Sequence, residues 1–534
     1  MRQNSRTLAL LFALALLCGL AFHGFWEKHW ESRRAEAARE IAESGNWAVP
    51  TLLGEPFVTK PPLTYWTVAA LFKLTGTVND RLSRVPSAAL TLASLFLVMG
   101  MAKRWRRPDG QPQADPLTAG SIFATMPLVF ALGVNTETEP YLLFFTCLAV
   151  WAYLRITPGE RSLFWRSVLA LGLVGGFMIK GPLGWFFPLF GILACEVTAP
   201  RAERRLTLLD LGLFLASHAL FAAPWFVVVY RTVPGAMKVW LGETIRRVGD
   251  ETFTIHREPF WYYLPMLAVF GPWLLLLPGA VKRVAGERYA RSLWPLLWFA
   301  AGVLFLSLAS SKRAHYMLSF SPALALSLAA GAQRLKAGGQ ERLARIFFTF
   351  CGWLLPLAAL SVMLLLAAKG KLVYGFASAL ALAILIGGYF LLRKSRALDW
   401  AHLCALGLLV SFGVAGAGVV PAVDLYRCPD LFLQRVSEVV GPGEVVGNWR
   451  SDRFTSSFYL GRFVRSARSG ADLDALMPGG GWLVGEEASF MDRPPRSEFY
   501  LRLEIEDPFN SSVKQVWALY KVAPQKRPRE VRTG

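Results

Sequence analysis

The chain has 534 residues, of which 54% are hydrophobic and only 18% charged, with a mean hydropathy of +0.39. That is too apolar for an ordinary soluble protein of this length, and it excludes a disordered, fibrous or small secreted class. Lys and Arg number 57 against 37 Asp and Glu, a formal charge of +20 that fits nucleic acid, anionic lipid or membrane topology.

A helix needs roughly 20 apolar residues to cross about 30 Å of hydrocarbon. Such spans recur near 7–25, 82–101, 117–133, 140–157, 163–179, 182–198, 208–230, 260–281, 293–309, 316–333, 346–367, 372–392 and 400–420. The sequence therefore predicts an α-helical polytopic membrane protein with about thirteen transmembrane helices. The first span lacks a small-x-small cleavage site and reads as a retained anchor. Basic clusters at Arg2/Arg6, Lys103–Arg107, Arg155–Arg166, Arg201–Arg205, Lys282–Arg291, Arg334–Arg345 and Arg393–Arg396 fall on alternate loops, which places those loops in the cytoplasm. The opposite face receives the loop 26–81, the tip 135–139, the loop 231–258, the turn 310–315 and everything after Pro421.

In the first outer loop, the charge run Glu27–Arg34 is either a solvated face or a site in which a carboxylate serves as base and Arg33 or Arg34 grips a phosphate. Glu36, Ala37, Glu40, Ile41 and Glu43 predict a short amphipathic helix ended by Gly45. Lys60 follows in FVTKPPLTYW, where consecutive prolines stiffen the backbone beside Tyr65 and Trp66. The tip NTETEP carries Glu137 and Glu139, read either as a wet turn or as an acidic pair. Glu243, Arg246, Arg247, His256 and Arg257 precede FWYYLP, and Lys312, Arg313, His315 and Tyr316 open a later helix. So many cations on the outer face suit an anionic ligand.

From Asp430 the composition turns soluble: helical stretches at 430–440 and 453–460, strands at 444–449, 482–486 and 514–522. The predicted division is a membrane domain over 1–425, with its first periplasmic loop at 26–81, and a small periplasmic α/β domain over 426–534. The basic tail Lys526–Arg532 reads as a frayed terminus. Six Cys, mostly inside apolar runs and without a CxxC pair, argue against a zinc site or a disulfide framework. The absence of GxxxxGK[ST], HExxH, GxSxG and the kinase motifs argues against hydrolysis of cytoplasmic ATP and leaves a lipid-borne activated substrate or an ion gradient to drive outer-face chemistry.

Five stretches, ESRRAEAAREIAESGNWAVPTLLGEPFVTKPPLTYW at 31–66, DRLSRVPSAAL at 80–90, MIKGPLGWFFPLF at 178–190, EPFWYYLPMLAVFGPWLLLLPG at 258–279 and SSKRAHYMLSFSPALAL at 310–326, occur in an order that resembles the polytopic C-superfamily glycosyltransferases, those like bacterial aminoarabinose transferase and protein O-mannosyltransferase. The resemblance implies inverting transfer of a sugar from a polyprenyl-phosphate lipid donor to an envelope glycolipid such as lipid A, another glycan or a protein. It places the active site on the periplasmic face of the bacterial inner membrane. It calls for no cofactor beyond the lipid-linked sugar and no nucleic acid, and leaves a divalent metal open. The positions that match the donor-phosphate residues of the family are Arg33, Lys60, Arg247 and Tyr316, with Arg246, His256, Lys312 and His315 as further candidates. Where the family carries a catalytic Asp the chain has Trp30, followed by Glu31, and Thr59 stands where a glutamate is usual before Lys60. The second acidic position of the family falls on Glu139, so the expected base or acceptor-orienting group is Glu139, with Glu31 as its partner. A catalytically silent polyprenyl-phosphate binder, which Trp30 would suit, and a lipid or solute transporter are the alternatives.

Overall fold

The computed structural model describes residues 2–21, 30–107, 109–159, 163–240, 242, 258–285, 292–309, 311–337, 346, 350, 361, 400–416, 428–449, 453–486, 497–506 and 514–524. Within these residues the architecture is mainly helical. In chain order come α1 (Arg2–Ala21), α2 (Trp30–Ser44), the two-residue strands β1 (Thr51–Leu52) and β2 (Glu55–Pro56), α3 (Leu63–Thr75), α4 (Asp80–Arg104), α5 (Pro116–Ala124), α6 (Pro127–Gly133), α7 (Glu139–Arg155), α8 (Leu163–Lys180), α9 (Leu183–Thr198), α10 (Leu208–Phe221) and α11 (Ala223–Thr232). Four helical stretches among the described residues, Asp80–Arg104, Leu163–Lys180, Arg201–Thr232 and Phe260–Lys282, are long and apolar enough to cross a membrane. The expected span at 117–133 is bent by 63° between α5 and α6, and would count as a fifth. The indole N–H of Trp273 donates to Thr125 Oγ1 at 3.0 Å at this break, which supplies a polar partner where the helix stops. The expected spans at 346–367 and 372–392 lie, but for isolated residues, outside the described ones.

The largest apolar core joins α1 and α4 through α9 with Phe270, Trp273, Trp298 and the helices at 294–308, 321–337 and 400–414. The segment between α1 and α4 has its own core, in which Ala35, Ala38 and Ile41 of α2 meet Tyr65, Val68 and Phe72 of α3 and Phe458 from the far C-terminal region. The described C-terminal residues form a five-stranded sheet in the order β4-β3-β5-β7-β6, with β3 at Val446–Trp449, β4 at Arg465–Ala467, β5 at Gly481–Glu486, β6 at Ser497–Glu506 and β7 at Lys514–Val522. β3 runs parallel to β4 and β5, and β7 runs antiparallel to β5 and β6. Helices at Asp430–Val439, Arg453–Leu460 and Gly470–Leu476 accompany it.

Candidate functional site

Segments that the charge pattern assigns to one face do meet in the structure. The first is the start of α2. Glu31 is 1% exposed and accepts from both Arg84 Nε and Nη2 of α4 at 3.0 Å, and from the backbone N–H of Thr136 at 2.5 Å. A fully buried guanidinium–carboxylate fork of this kind is stable only when both members stay paired, so it fixes α2, α4 and the tip 135–138 in one register. Ser83 and Thr136 add a hydroxyl contact of 2.6 Å beside it. Glu31 therefore holds the frame, and both of its oxygens are engaged.

One turn further along α2, Arg34 Nη2 meets Glu137 Oε2 at 2.7 Å. The tip is thus neither bare nor wet, with Glu137 9% and Glu139 3% exposed. Glu139 opens α7, where the helix dipole favours a carboxylate. Its Oε1 pairs with Lys180 Nζ at 2.5 Å, and its Oε2 accepts from the Thr138 hydroxyl at 2.9 Å. His315 Nε2 lies 3.5 Å from the same Oε1. The Lys180 ammonium also stands 4.4 Å from the centroid of the Tyr316 ring. The backbone places Lys180 there: it is the last residue of α8, and the chain turns at Gly181 with φ +62°. α9 then returns so close that a Cβ on Gly184 would sit 2.1 Å from the Gly176 backbone.

These charges form a continuous buried string, Arg34, Glu137, Glu139 and Lys180, ending on Tyr316 and His315. Burial pushes the Glu137 carboxyl up to about 7; Arg34 opposes the rise, and Glu139 and Glu31 add to it. Burial likewise lowers the His315 imidazole to about 4, so that it is neutral near pH 7.

The remaining expected site residues divide clearly. Arg33 lies with its guanidinium 4.9 Å from the Phe57 ring and 5.4 Å from Phe454, beside the string. Lys60 is half-buried in the turn before α3. Trp30 is the first residue of α2. Lys312 donates to the backbone oxygens of Glu258 at 2.9 Å and Ala309 at 2.7 Å, so its ammonium is spent on tying two chain segments together. Arg246, Arg247 and His256 lie outside the described residues. Sequence reasoning did not assign Lys180, Arg84 or the Arg34–Glu137 pair, although Lys180 and Arg84 sit inside the motifs MIKGP and DRLSRVP.

A family model described as dolichyl-phosphate-mannose-protein mannosyltransferase matches residues 59–227. An undecaprenyl phosphate-alpha-4-amino-4-deoxy-L-arabinose arabinosyl transferase from Enterobacter sp. is 30% identical over 81% of this chain and 79% of its own length. One of the same name from Aeromonas salmonicida is 31% identical over 77% of this chain and 76% of its own. The crystal structure of ArnT from Cupriavidus metallidurans bound to undecaprenyl phosphate shares the fold, with a TM-score of 0.71 at 18% identity over 96% of this chain and 97% of that one. The fold is that of a C-superfamily glycosyltransferase, an enzyme that uses a lipid-linked sugar. Within that class, the chain belongs to the family of aminoarabinose transferases.

Proposed function

We propose that this protein transfers a sugar from an undecaprenyl-phosphate donor to an acceptor of the bacterial envelope, at the periplasmic face of the inner membrane and with inversion at the anomeric carbon. The carrying observation is the buried string from Arg34 through Glu137, Glu139 and Lys180 to Tyr316, in a chain of this family. As the glycosidic bond breaks, negative charge grows on the lipid phosphate, and fixed cations and hydroxyl donors stabilise it. Arg33, Lys60, Arg247 and Tyr316 are the proposed holders of that phosphate, joined by Lys180. Glu139 orients the acceptor through its salt bridge, and Glu31 is the positioning partner that fixes the start of α2. Residues 1–425 form the transferase domain in this reading, and 426–534 a periplasmic α/β domain that shapes access.

Trp30, which stands where the family has an Asp, favours a second reading as a silent polyprenyl-phosphate binder. One assay separates the two. Purified full-length protein is incubated with undecaprenyl phosphate-α-4-amino-4-deoxy-L-arabinose and lipid A, and products are followed by mass spectrometry. A mass increment on lipid A supports transfer. Retained undecaprenyl phosphate binding without any increment selects the silent reading.

A further inference from the structure

Three carboxylates face the outer cluster, and their surroundings differ. Glu31 is bound through both oxygens by Arg84 and Thr136. Glu139 is bound through both oxygens by Lys180 and Thr138. Glu137 is held through Oε2 by Arg34, and its carboxyl meets that of Glu139 within hydrogen-bonding reach. It is also the most exposed of the three, at 9% against 1% and 3%. Two carboxyls in contact disfavour ionisation of both, and Lys180 at 2.5 Å keeps Glu139 charged, so a proton taken up by the pair goes to Glu137.

We infer that Glu137 is the proton acceptor of the transfer step, taking the role that Trp30 cannot fill; this inference rests on the transferase reading above. The acceptor oxygen forms its bond to the anomeric carbon while the bond from that carbon to the phosphate oxygen breaks. The electron pair leaves with the polyprenyl phosphate, the acceptor's proton passes to Glu137, and water removes it after product release. Glu31 and Glu139 are too fully engaged to accept a proton without breaking their ion pairs. Glu137 can accept one, because Arg34 binds one oxygen and the contact with Glu139 is strengthened by protonation. Among the described residues, Arg34 and Glu31 on α2, Tyr65 on α3 and Glu139 on α7 are titratable groups that face it, with Lys180 and His315 behind Glu139. With burial raising its carboxyl to about 7, Glu137 is close to evenly divided between acid and base at neutral pH, which suits a general base.

The test compares wild type, Glu137→Gln and Glu137→Asp as full-length protein, with the donor and acceptor named above and with undecaprenyl phosphate binding measured in parallel. Glu137→Gln is expected to lower kcat by about 100-fold or more, to leave donor KM within about twofold, and to remove the rise of kcat with pH near 7. Glu137→Asp is expected to keep part of the rate and to move that rise to lower pH. Wild-type kcat with the same pH profile in Glu137→Gln overturns the inference. If Glu137→Gln loses undecaprenyl phosphate binding, Glu137→Asp decides: a shifted limb supports the inference and an unshifted one overturns it. Absence of transfer by the wild type with this pair overturns the functional reading and this inference together.

Discussion

Arg84 and Glu31 are 0% and 1% exposed, and neither charge is tolerable in that place without the other. Removing one partner of such a pair strands the second, at a cost of about 3–5 kcal/mol, whereas replacing both with apolar residues of similar volume is often near neutral. Glu31→Gln is therefore expected to lower the unfolding midpoint of detergent-solubilised protein sharply, and the double variant Glu31→Leu, Arg84→Met to recover most of it. Additive losses in the double variant would refute the pairing argument. A second residue-scale expectation concerns acid. Burial, together with the Lys180, Arg313 and Arg34 charges, lowers His315 from near 6.5 to about 4, although Glu139 pulls the other way. Between those values the unfolded chain protonates His315 and the folded chain does not, so its contribution to stability is lost as pH falls from 6.5 toward 4. Glu137 runs in the opposite sense: raised from 4.5 to about 7, it disfavours the fold as pH rises through that window. His315→Gln should flatten the acid limb of the unfolding midpoint between pH 6.5 and 4, and a limb as steep as that of wild type would count against it. The motif positions pointed to Glu31, Arg33 and Glu139 in the sequence, and the structure places Glu31 and Glu139 in buried ion pairs with Arg33 nearby. The partner of Arg34 was not, because Glu137 is 103 positions away and only the closing of the fold brings the two within 2.7 Å.

At the scale of elements, the segment between α1 and α4 shows how a helix organises the chain that follows it. Sequence periodicity predicts a helix around Glu36–Glu43, and the observed α2 starts earlier, at Trp30, because its charged first turn is buried against α4 and the tip. Its inner face carries Glu40, which accepts from the Thr51 hydroxyl at 2.5 Å and from the backbone N–H groups of Leu53 and Gly54. The indole N–H groups of Trp66, Trp225 and Trp240 then pin the carbonyls of Trp47, Ala48 and Val58 at 2.7, 2.9 and 2.6 Å. These aromatics act here as hydrogen-bond donors to a loop. Glu40→Gln keeps the shape of the side chain but loses the charge, and each hydrogen bond to a charged group is worth about 1.5–3 kcal/mol. Amides of residues 51–58 are expected to exchange with deuterium at least tenfold faster in that variant, while those of α7 and α8 stay unchanged. Equal exchange would mean that the tryptophans alone hold the loop. The break at Thr125–Met126 was less legible: composition marks 117–133 as one apolar run, and only Pro127, which removes a backbone donor, hints that it is two helices.

For the whole molecule, the informative contact is between the two ends of the chain. The helix Arg453–Leu460 rests on the segment between α1 and α4 and on the start of α4: the Phe458 ring lies tilted against Phe72 with centroids 6.4 Å apart, and the Tyr459 hydroxyl donates to Asp80 Oδ2 at 3.0 Å. The same helix presents Phe454 to Arg33, whose guanidinium also lies near the Phe57 ring. Apolar patterning made the strands at 446–449, 481–486 and 514–522 and the helices at 430–439 and 453–460 readable, whereas β4, the helix Gly470–Leu476 and β6 escaped it. β4 is too short, at three residues, to show a period, and β6 mixes charged with apolar positions. No pattern within either end could reveal that they touch. If Arg33 holds the donor phosphate, Phe454 is a positioning residue that keeps its guanidinium over the ring, an interaction worth about 0.5–1 kcal/mol when exposed and about 2 kcal/mol when desolvated. Phe454→Ala should then weaken undecaprenyl phosphate binding by about 2- to 30-fold, raising donor KM by a similar factor with kcat little changed. Phe454→Tyr, which keeps a ring face, should restore affinity. A purely structural role would instead lower the unfolding midpoint and leave donor affinity of the folded fraction intact, and that outcome would separate the C-terminal region from the donor site.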